Sequence, residues 1–269
     1  MTVVMVHSDL RRLLRSTVGR PDRKAALTGL TRDILSAYPG SEIWMPTFNY
    51  DFPRARSFDR RTDVSHTGVL TEYFRVSHAA WRTPTPIFSI AGTGEPVCQA
   101  ASALVVEPLG DAGLLASLVR WNGRVALLGC GVGALSLFHH AELAGGAFPP
   151  YRYAKDFEGT TVDWDGNTRQ VRLRYPVTDL RRRVAYDFDE IATAMMAAGA
   201  VRSSDRFAHS LEVDAQDFVL TWQQKAATDP LWPIAGESRA WVEPMLESLG
   251  RGFVIDDFEQ VSLEGAASR

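Results

Sequence analysis

The residues best suited to chemistry are Ser136, His139 and Glu142, which follow a glycine-rich turn in the chain. His139 and Glu142 are three positions apart, so a helix from about Leu135 onward would place both on one face. A neutral imidazole takes up a proton near neutral pH, because its ordinary pKa is about 6.5, and a carboxylate orients it. Ser136 would share that face, either as a hydroxyl near the base or as the helix cap. The spacing predicts a general base, His139, with Glu142 as its partner.

The same segment matches two other patterns in part. Gly129 to Ala134 fits the dinucleotide pattern G-x-G-x-x-A, but a nicotinamide site needs a second strand that ends in an acidic residue about 20 positions on. Residues 149–156 are proline-rich and polar instead. His139 and His140 lack the four-residue spacing of paired zinc ligands, so we expect no metal. Proton transfer remains the favoured chemistry of this segment.

The elements that must position these residues alternate in type along the chain. Residues 3–6 and 43–45 are typical of buried strands, and residues 25–38 between them have helical periodicity. A third strand, residues 125–128, leads into the glycine-rich turn, and we expect a sheet that is at least partly parallel. Residues 49–67 have no clear periodicity and are predicted to form a long loop, a kind of segment that is often functional.

Polar clusters lie at the expected ends of strands and starts of helices. His7, Ser8 and Asp9 follow the first strand directly, where ligands bind in open α/β sheets. Ser65 precedes Gly68 and a predicted helix over residues 67–76 in the same way. Helix starts attract phosphate, although the same residues also serve as ordinary helix caps. The clusters favour an anionic ligand at this edge.

Composition limits the class of protein. The chain has 269 residues, 45% of them hydrophobic and 23% charged, and a net charge of −3, which is ordinary for one globular domain over residues 1–269. A pI near 6.1 shows that the chain lacks the overall positive charge typical of proteins that bind nucleic acid or anionic membranes. Cys98 and Cys130 have no disulfide or zinc spacing, and no segment has the length and apolar character of a signal peptide or a membrane span. We therefore expect a cytoplasmic protein.

Four segments, taken in order, resemble the aminoglycoside 3-N-acetyltransferase family, the antibiotic N-acetyltransferases. Ser136-x-x-His139-x-x-Glu142 is similar to the family's Thr/Ser-x-x-His-x-x-Glu catalytic segment. The other three correspond to the family's opening strand and turn, its second strand end and its central helix: Val4-x-Val6-His7-Ser8-Asp9-Leu10, Met45-Pro46-Thr47-Phe48, and Gly68-Val-Leu70-Thr-Glu72-Tyr-Phe74-Arg75. The resemblance covers roughly residues 3–230 in the right order.

The resemblance implies an α/β fold, a three-layer α/β/α sandwich with a mixed central sheet, distinct from the GNAT fold. It also implies acetyl-CoA, or another short acyl-CoA, as co-substrate, and a catalytic role for His139, Glu142 and Ser136. The residues expected to contact the acyl-CoA are His7, Ser8, Asp9, Ser65, Gly68, Val69, Leu70, Arg82, Thr83 and Ser89.

One departure from the family bears on the acceptor. Antibiotic-modifying members carry a histidine before the proline that follows the central helix, whereas Thr85 precedes Pro86 here. This favours the branch that acylates nucleotide-linked amino sugars, with aminoglycosides as the alternative acceptor. The candidate substrate contacts are Asn49, Tyr50, Tyr151, Arg152 and Lys155. Arg152 and Lys155 suit an anionic handle.

The sequence is also compatible with two other functions: a small serine hydrolase that uses Ser136, and a binding protein that has kept the fold without catalysis. The hydrolase hypothesis is the weaker, because all three candidate residues lie on one helix and the chain has no G-x-S-x-G elbow. The acyl group, and whether the protein is a monomer or a homodimer, stay open.

Overall fold

The computed structural model describes residues 2–13, 22–95, 99–146 and 148–259. Its strands are β1 (Thr2–Ser8), β2 (Ser41–Pro46), β3 (Ser57–Asp59), β4 (Trp81–Arg82), β5 (Ile90–Gly92), β6 (Arg124–Leu128), β7 (Tyr153–Val162), β8 (Thr168–Val177), β9 (Val201–Ser203) and β10 (Leu211–Asp214). Its helices are α1 (Leu10–Leu13), α2 (Arg23–Ala37), α3 (Phe52–Ala55), α4 (Val69–Ser77), α5 (Gln99–Ser102), α6 (Leu114–Arg120), α7 (Leu137–Ala141), α8 (Phe188–Ala197), α9 (Ala215–Thr228) and α10 (Gly236–Leu249). Short 3₁₀ turns occupy Val132–Ala134 and Ile255–Asp257.

The main sheet has seven strands in the order β4-β5-β2-β1-β6-β10-β9. At its centre β1 pairs in parallel with both β2 and β6. The strands on either side of this trio, β5 with β4 and β10 with β9, are antiparallel to their neighbours. The sheet is therefore mixed, which confirms the predicted fold class.

The central strand is apolar on both faces because both faces are covered. Val3 and Met5 belong to the core cluster that α6 and α9 also enter, whereas Val4 and Val6 belong to a second cluster with α2 and α4. Successive side chains of a strand point to opposite faces, so the two clusters lie on opposite sides of the sheet. The result is the expected α/β/α sandwich.

The segment that the sequence predicts to be a long loop, residues 49–67, contains α3 and β3, which corrects that expectation. β3 pairs in parallel with β7 and joins the β7–β8 hairpin in a three-stranded second sheet. Phe52 and Phe58, both fully buried, anchor the two elements in the core. Elements of four and three residues are too short to give a periodic pattern, which is why the sequence did not indicate them.

The parallel strands bring their carboxyl ends to one edge, where the predicted catalytic segment begins. After β6 the chain turns at Gly129, whose φ of 66° favours glycine, and a Cβ there would lie 3.0 Å from the Asp9 carbonyl oxygen. α7 begins at Leu137, two residues later than predicted, because Leu135 is extended, with φ −75° and ψ 105°. This turn places α7 beside the end of β1.

Within the described residues, no helix combines the length and the apolar character that crossing a membrane requires. The described part of the chain also holds no group of three or more His, Cys, Asp or Glu side chains arranged to bind a metal ion.

Candidate active site

A cleft of about 910 Å³, including its open mouth, lies at the carboxyl edge of β1 and β2. Its walls come from the ends of these strands, the first turn of α4, the turn before α7 and Phe88. Of the predicted site residues, His7, Ser8, Tyr50, Ser136 and His139 line it. Among the described residues that form its lining, none is Asp, Glu, Lys or Arg. The cleft is therefore aromatic and hydroxylated rather than charged.

The i,i+3 spacing brings His139 and Glu142 together as predicted. His139 Nδ1 lies 3.7 Å from Glu142 Oε2, and the histidine side chain is 21% exposed while the glutamate is fully buried. The imidazole ring packs edge-on against Phe88, with the ring centroids 5.5 Å apart. With Nδ1 turned to the carboxylate, Nε2 is the nitrogen left for the cleft.

Glu142 is surrounded by donors from two other segments. Tyr151 Oη and Tyr186 Oη donate to its Oε1 at 2.9 and 2.5 Å, and Arg152 Nε donates to the same oxygen at 3.1 Å. The guanidinium also donates to the Tyr186 hydroxyl and, through Nη1, to the Pro176 carbonyl at 3.2 Å. Arg152 Nη2 lies 3.4 Å from His139 Nδ1, so the cation contacts both members of the pair.

These contacts decide the protonation of the pair. Burial alone raises the pKa of Glu142, but Arg152 and, less strongly, His139 and Tyr186 outweigh it and lower that pKa to about 2. For His139, burial lowers the pKa, the adjacent Glu142 carboxylate raises it, and the charge of Arg152 lowers it further, with a net lowering. Near neutral pH the pair is an ionised carboxylate beside a neutral imidazole, which can act as a base.

Ser136 is the N-cap residue of α7, but its side chain makes no capping hydrogen bond. Its Oγ lies 3.4 Å from Nε2 of His7, which is the last residue but one of β1 and is buried. Burial lowers the pKa of His7 to about 4, so this ring is neutral at working pH. The hydrogen bond of Ser136 goes to His7, whereas a serine hydrolase would need it on His139.

The first turn of α4 presents hydroxyls and free backbone donors next to the cleft. Ser65 Oγ lies 2.8 Å from Thr67 Oγ1 and 3.2 Å from Thr71 Oγ1, and both threonines line the cleft. The N-cap is Gly68, which offers no side-chain cap. Val69 and Leu70 follow it, and first-turn N–H groups have no partner within their own helix. A helix start with unpaired N–H groups can bind an anion, which is the role that the sequence analysis expects for the segment from Ser65 to Leu70.

Several predicted contacts lie behind the cleft wall. Arg82 is 1% exposed, and four of its N–H groups donate to oxygens of Ser89, Arg60, Asp63 and Thr47. These bonds hold the turn after β3 against the end of β2, a structural placement that differs from the expected phosphate contact. Thr83, Ser89 and Asn49 are likewise buried and bonded to neighbouring backbone.

Tyr151 and Arg152 support Glu142 from inside the protein, so the structure does not place them on the cleft wall as the sequence analysis expects. Lys155 lies on β7, where its Nζ is 2.6 Å from Glu259 Oε2. Asp9 accepts a hydrogen bond from Arg11 N at the start of α1. Tyr186 was not predicted as a site residue, because it belongs to no recognisable motif and is 44 positions from Glu142 in the sequence.

Comparison with known proteins adds an independent finding. A family model described as aminoglycoside 3-N-acetyltransferase matches residues 5–225. The crystal structure of the aminoglycoside acetyltransferase AAC(3)-Xa superposes with a TM-score of 0.67 at 24% identity, over 84% of this chain and 86% of that one. AAC-IIIb in a binary complex with CoASH superposes with a TM-score of 0.65 at 22% identity, over 84% of this chain and 90% of that one. AAC-VIa bound to sisomicin superposes with a TM-score of 0.66 at 18% identity, over 84% of this chain and 91% of that one.

These likenesses establish a shared fold. No curated protein sequence matches the chain.

Proposed function

Because the chain belongs to the aminoglycoside 3-N-acetyltransferase family, we propose that it moves an acetyl or other short acyl group from coenzyme A to the primary amine of an amino sugar. One observation carries the proposal: His139, neutral and held by an ionised carboxylate on its Nδ1 side, opens onto a cleft that also presents a hydroxyl and a helix start. The three groups match the needs of a base, a carbonyl partner and a phosphate partner.

The base works through the free nitrogen of the imidazole. His139 Nε2 takes the proton of the amine as its nitrogen bonds to the acyl carbon, while Glu142 stabilises the imidazolium through Nδ1. His139 Nε2 then gives the proton to sulfur as the carbon–sulfur bond breaks. Coenzyme A therefore leaves as the free thiol, and no second titrating residue is needed.

Ser136 is the proposed partner of the reacting carbonyl oxygen. Its hydroxyl lines the cleft one helical turn before His139, and neutral His7 fixes it from the other side. A hydroxyl that already points where negative charge develops stabilises that charge at little reorganisation cost. His7 and Ser8 extend this wall toward the acyl-CoA.

The residues present fit coenzyme A at the start of α4. The backbone N–H groups of Gly68 and Val69 offer neutral donors, which together with the helix dipole suit a pyrophosphate. The hydroxyls of Thr67 and Thr71 line this site while donating to the carbonyl oxygens of Pro46 and Gly68. The binary complex of AAC-IIIb with CoASH supports the same co-substrate here. Arg82 would act indirectly, by fixing the turn that leads into this segment.

The acceptor is proposed to be an amino sugar with few positive charges, free or nucleotide-linked. Tyr50, Phe48 and Phe88 give the cleft an aromatic wall on which a sugar face can stack. A polycation calls for clustered carboxylates, and the described lining has none. The charge argument for a nucleotide handle is weakened, since Arg152 and Lys155 are paired with Glu142 and Glu259. A polycationic aminoglycoside is the second candidate, supported by AAC-VIa bound to sisomicin.

The test is amine-dependent release of free thiol from acetyl-CoA by the purified protein. The panel contains a nucleotide-linked amino sugar, the corresponding free amino sugar and an aminoglycoside. We expect release only with an amine, and fastest with a singly charged amino sugar. Fastest turnover of the aminoglycoside would favour the second candidate.

His139→Ala should lower kcat at least about 100-fold, because general-base catalysis usually contributes that much or more. His209→Asn is the matched control, since His209 is exposed and does not line the cleft. Thiol release without amine would indicate a hydrolase, and near-native kcat in folded His139→Ala would contradict the proposed base.

A further inference from the structure

The two oxygens of Glu142 have different surroundings. Oε1 accepts hydrogen bonds from Tyr151, Arg152 and Tyr186, at 2.9, 3.1 and 2.5 Å. These donors come from the segments before β7 and before α8, and Glu142 itself is fully buried. A carboxylate held by three donors on one oxygen cannot rotate without breaking them, so its second oxygen has a fixed direction.

That second oxygen, Oε2, is buried and accepts no hydrogen bond among the described residues. It lies 3.0 Å from Arg152 Nε, outside hydrogen-bond geometry, and 3.7 Å from His139 Nδ1. A buried acceptor without a partner is costly, and His139 relieves that cost in the tautomer that carries its proton on Nδ1, which then donates to Glu142 instead of accepting from Arg152 Nη2. A small movement of the ring toward Glu142 would complete the bond.

Arg152 is fixed independently of His139. Its Nη1 donates to the Pro176 carbonyl, Nη2 to the Tyr186 hydroxyl, and Nε to Glu142. The Nη2 atom is nevertheless only 3.4 Å from His139 Nδ1. The cation therefore favours the carboxylate form of Glu142 and opposes a positive charge on the imidazole.

Resting on the proposed function, we propose that Arg152 and Tyr186 are positioning residues. Together they hold Glu142 through Oε1, so that Oε2 faces Nδ1 of His139 and can accept its hydrogen bond. In addition, Arg152 makes the imidazolium give up its proton readily to the departing thiolate. Neither residue touches the reacting atoms in this assignment.

The pH dependence follows from the groups that face His139. These are Glu142 at the end of its own helix, Arg152 and Tyr151 from before β7, Tyr186 from before α8, and Ser136 with His7 at the cleft floor. Burial raises the pKa of both tyrosines well above the ordinary value, so they stay neutral. Of the titrating members, the pKa of Glu142 is about 2 and that of His7 about 4. Burial and Arg152 lower the pKa of His139. The amine substrate titrates identically with every variant, so a displacement of the acidic limb of kcat/KM between variants reports His139.

The first test is Tyr186→Phe, which removes one donor to Oε1 and keeps the ring. We expect kcat to fall about tenfold, as for the loss of one hydrogen bond to a charged group, with the KM for acetyl-CoA unchanged. Tyr153→Phe is the matched control, because Tyr153 is a buried tyrosine that donates to another carboxylate, that of Glu259, at 2.8 Å. It should leave kcat unchanged. An equal kcat in both variants would overturn the role of Tyr186.

The second test compares Arg152→Gln with Arg152→Lys. Without the charge, the pKa of His139 rises, so the acidic limb of kcat/KM should move to higher pH in Arg152→Gln and stay in place in Arg152→Lys. NMR titration of the His139 ring, assigned by its absence in His139→Ala, measures the same shift without turnover. An unmoved His139 titration in folded Arg152→Gln would overturn the electrostatic role. If Arg152→Gln fails to fold, the Tyr186→Phe and Arg152→Lys results still decide the positioning role.

The two proposals fail separately. A wild-type protein that acylates none of the amines contradicts the proposed function, while the NMR titration continues to test the arrangement around His139. A wild-type protein that is active, with Tyr186→Phe as fast as Tyr153→Phe, contradicts the positioning role alone.

Discussion

His7, buried at the cleft floor, should make the stability of the protein depend on pH. Burial lowers its pKa from 6.5 to about 4 in the folded state. An unfolded chain takes up the proton below about pH 6.5, whereas the folded chain resists it until about pH 4. The stability contributed by neutral His7 is therefore complete above about pH 6.5 and is lost progressively as the pH falls toward 4. At about 1.4 kcal/mol for each pH unit in that window, the total loss approaches about 3 kcal/mol.

The perturbation that isolates this effect is His7→Gln. A glutamine amide reaches about as far as the imidazole Nε2, so it can keep the contact with Ser136, and it does not titrate. Between pH 7.5 and pH 5, the linkage relation predicts that the wild type loses about 2 kcal/mol more than the variant. Burial also lowers the pKa of His139 and His140, but both remain in each protein and cancel in the comparison.

The assay is urea unfolding at the two pH values, followed by tryptophan fluorescence and far-UV circular dichroism. His209→Asn serves as the control: it removes an exposed histidine at a position with φ of 55°, a conformation that asparagine tolerates. The control should lose as much stability as the wild type. Equal losses in the wild type and His7→Gln, to within about 0.5 kcal/mol, would refute a neutral buried His7. The proposal that neutral His7 orients the Ser136 hydroxyl would then be contradicted as well.

Two further predictions concern single positions. Ser136→Ala should lower kcat about tenfold, less than His139→Ala, because it removes one hydrogen bond to the developing charge and leaves the base in place; complete loss of activity in steady-state kinetics would point to a nucleophilic serine instead. Gly92→Ala should destabilise the fold by about 2 kcal/mol in urea unfolding, because overpacking a core usually costs that much. Its new Cβ would lie 2.2 Å from Trp81 Cζ2 and 2.9 Å from Trp44 Cδ1, and an unchanged unfolding midpoint would contradict this packing.

The parts of the fold and site that sequence analysis predicted are those with local signals. The apolar runs of β1, β2 and β6 are legible because both faces of a central parallel strand are covered, and the pairing of His139 with Glu142 follows from their spacing on one helix. The sequence analysis did not predict the short elements α3 and β3, because burial of Phe52 and Phe58, rather than a periodic pattern, stabilises them.

Long-range partners could not be predicted for a different reason. Arg82 was expected to contact the acyl-CoA, yet it lies in β4 and its N–H groups donate to the carbonyls of segments up to 35 positions away. Lys155 looked free for a ligand, but its carboxylate partner lies 104 positions further on. The sequence does not show whether a cationic side chain will find a partner within the protein. That partner decides whether the side chain has a structural role or is free to bind an anion.

The placement of charge links the base to the acceptor. The ions of the site, Glu142 and Arg152, lie one layer behind His139, while the described cleft lining in front of it is neutral. A neutral wall stabilises an ammonium ion poorly compared with water, so a bound amine is driven toward its uncharged, nucleophilic form. The same separation keeps the carboxylate from pairing with the substrate directly and directs its effect through the imidazole. In the proposed function, the arrangement that makes His139 a base is also the one that disfavours highly charged amines.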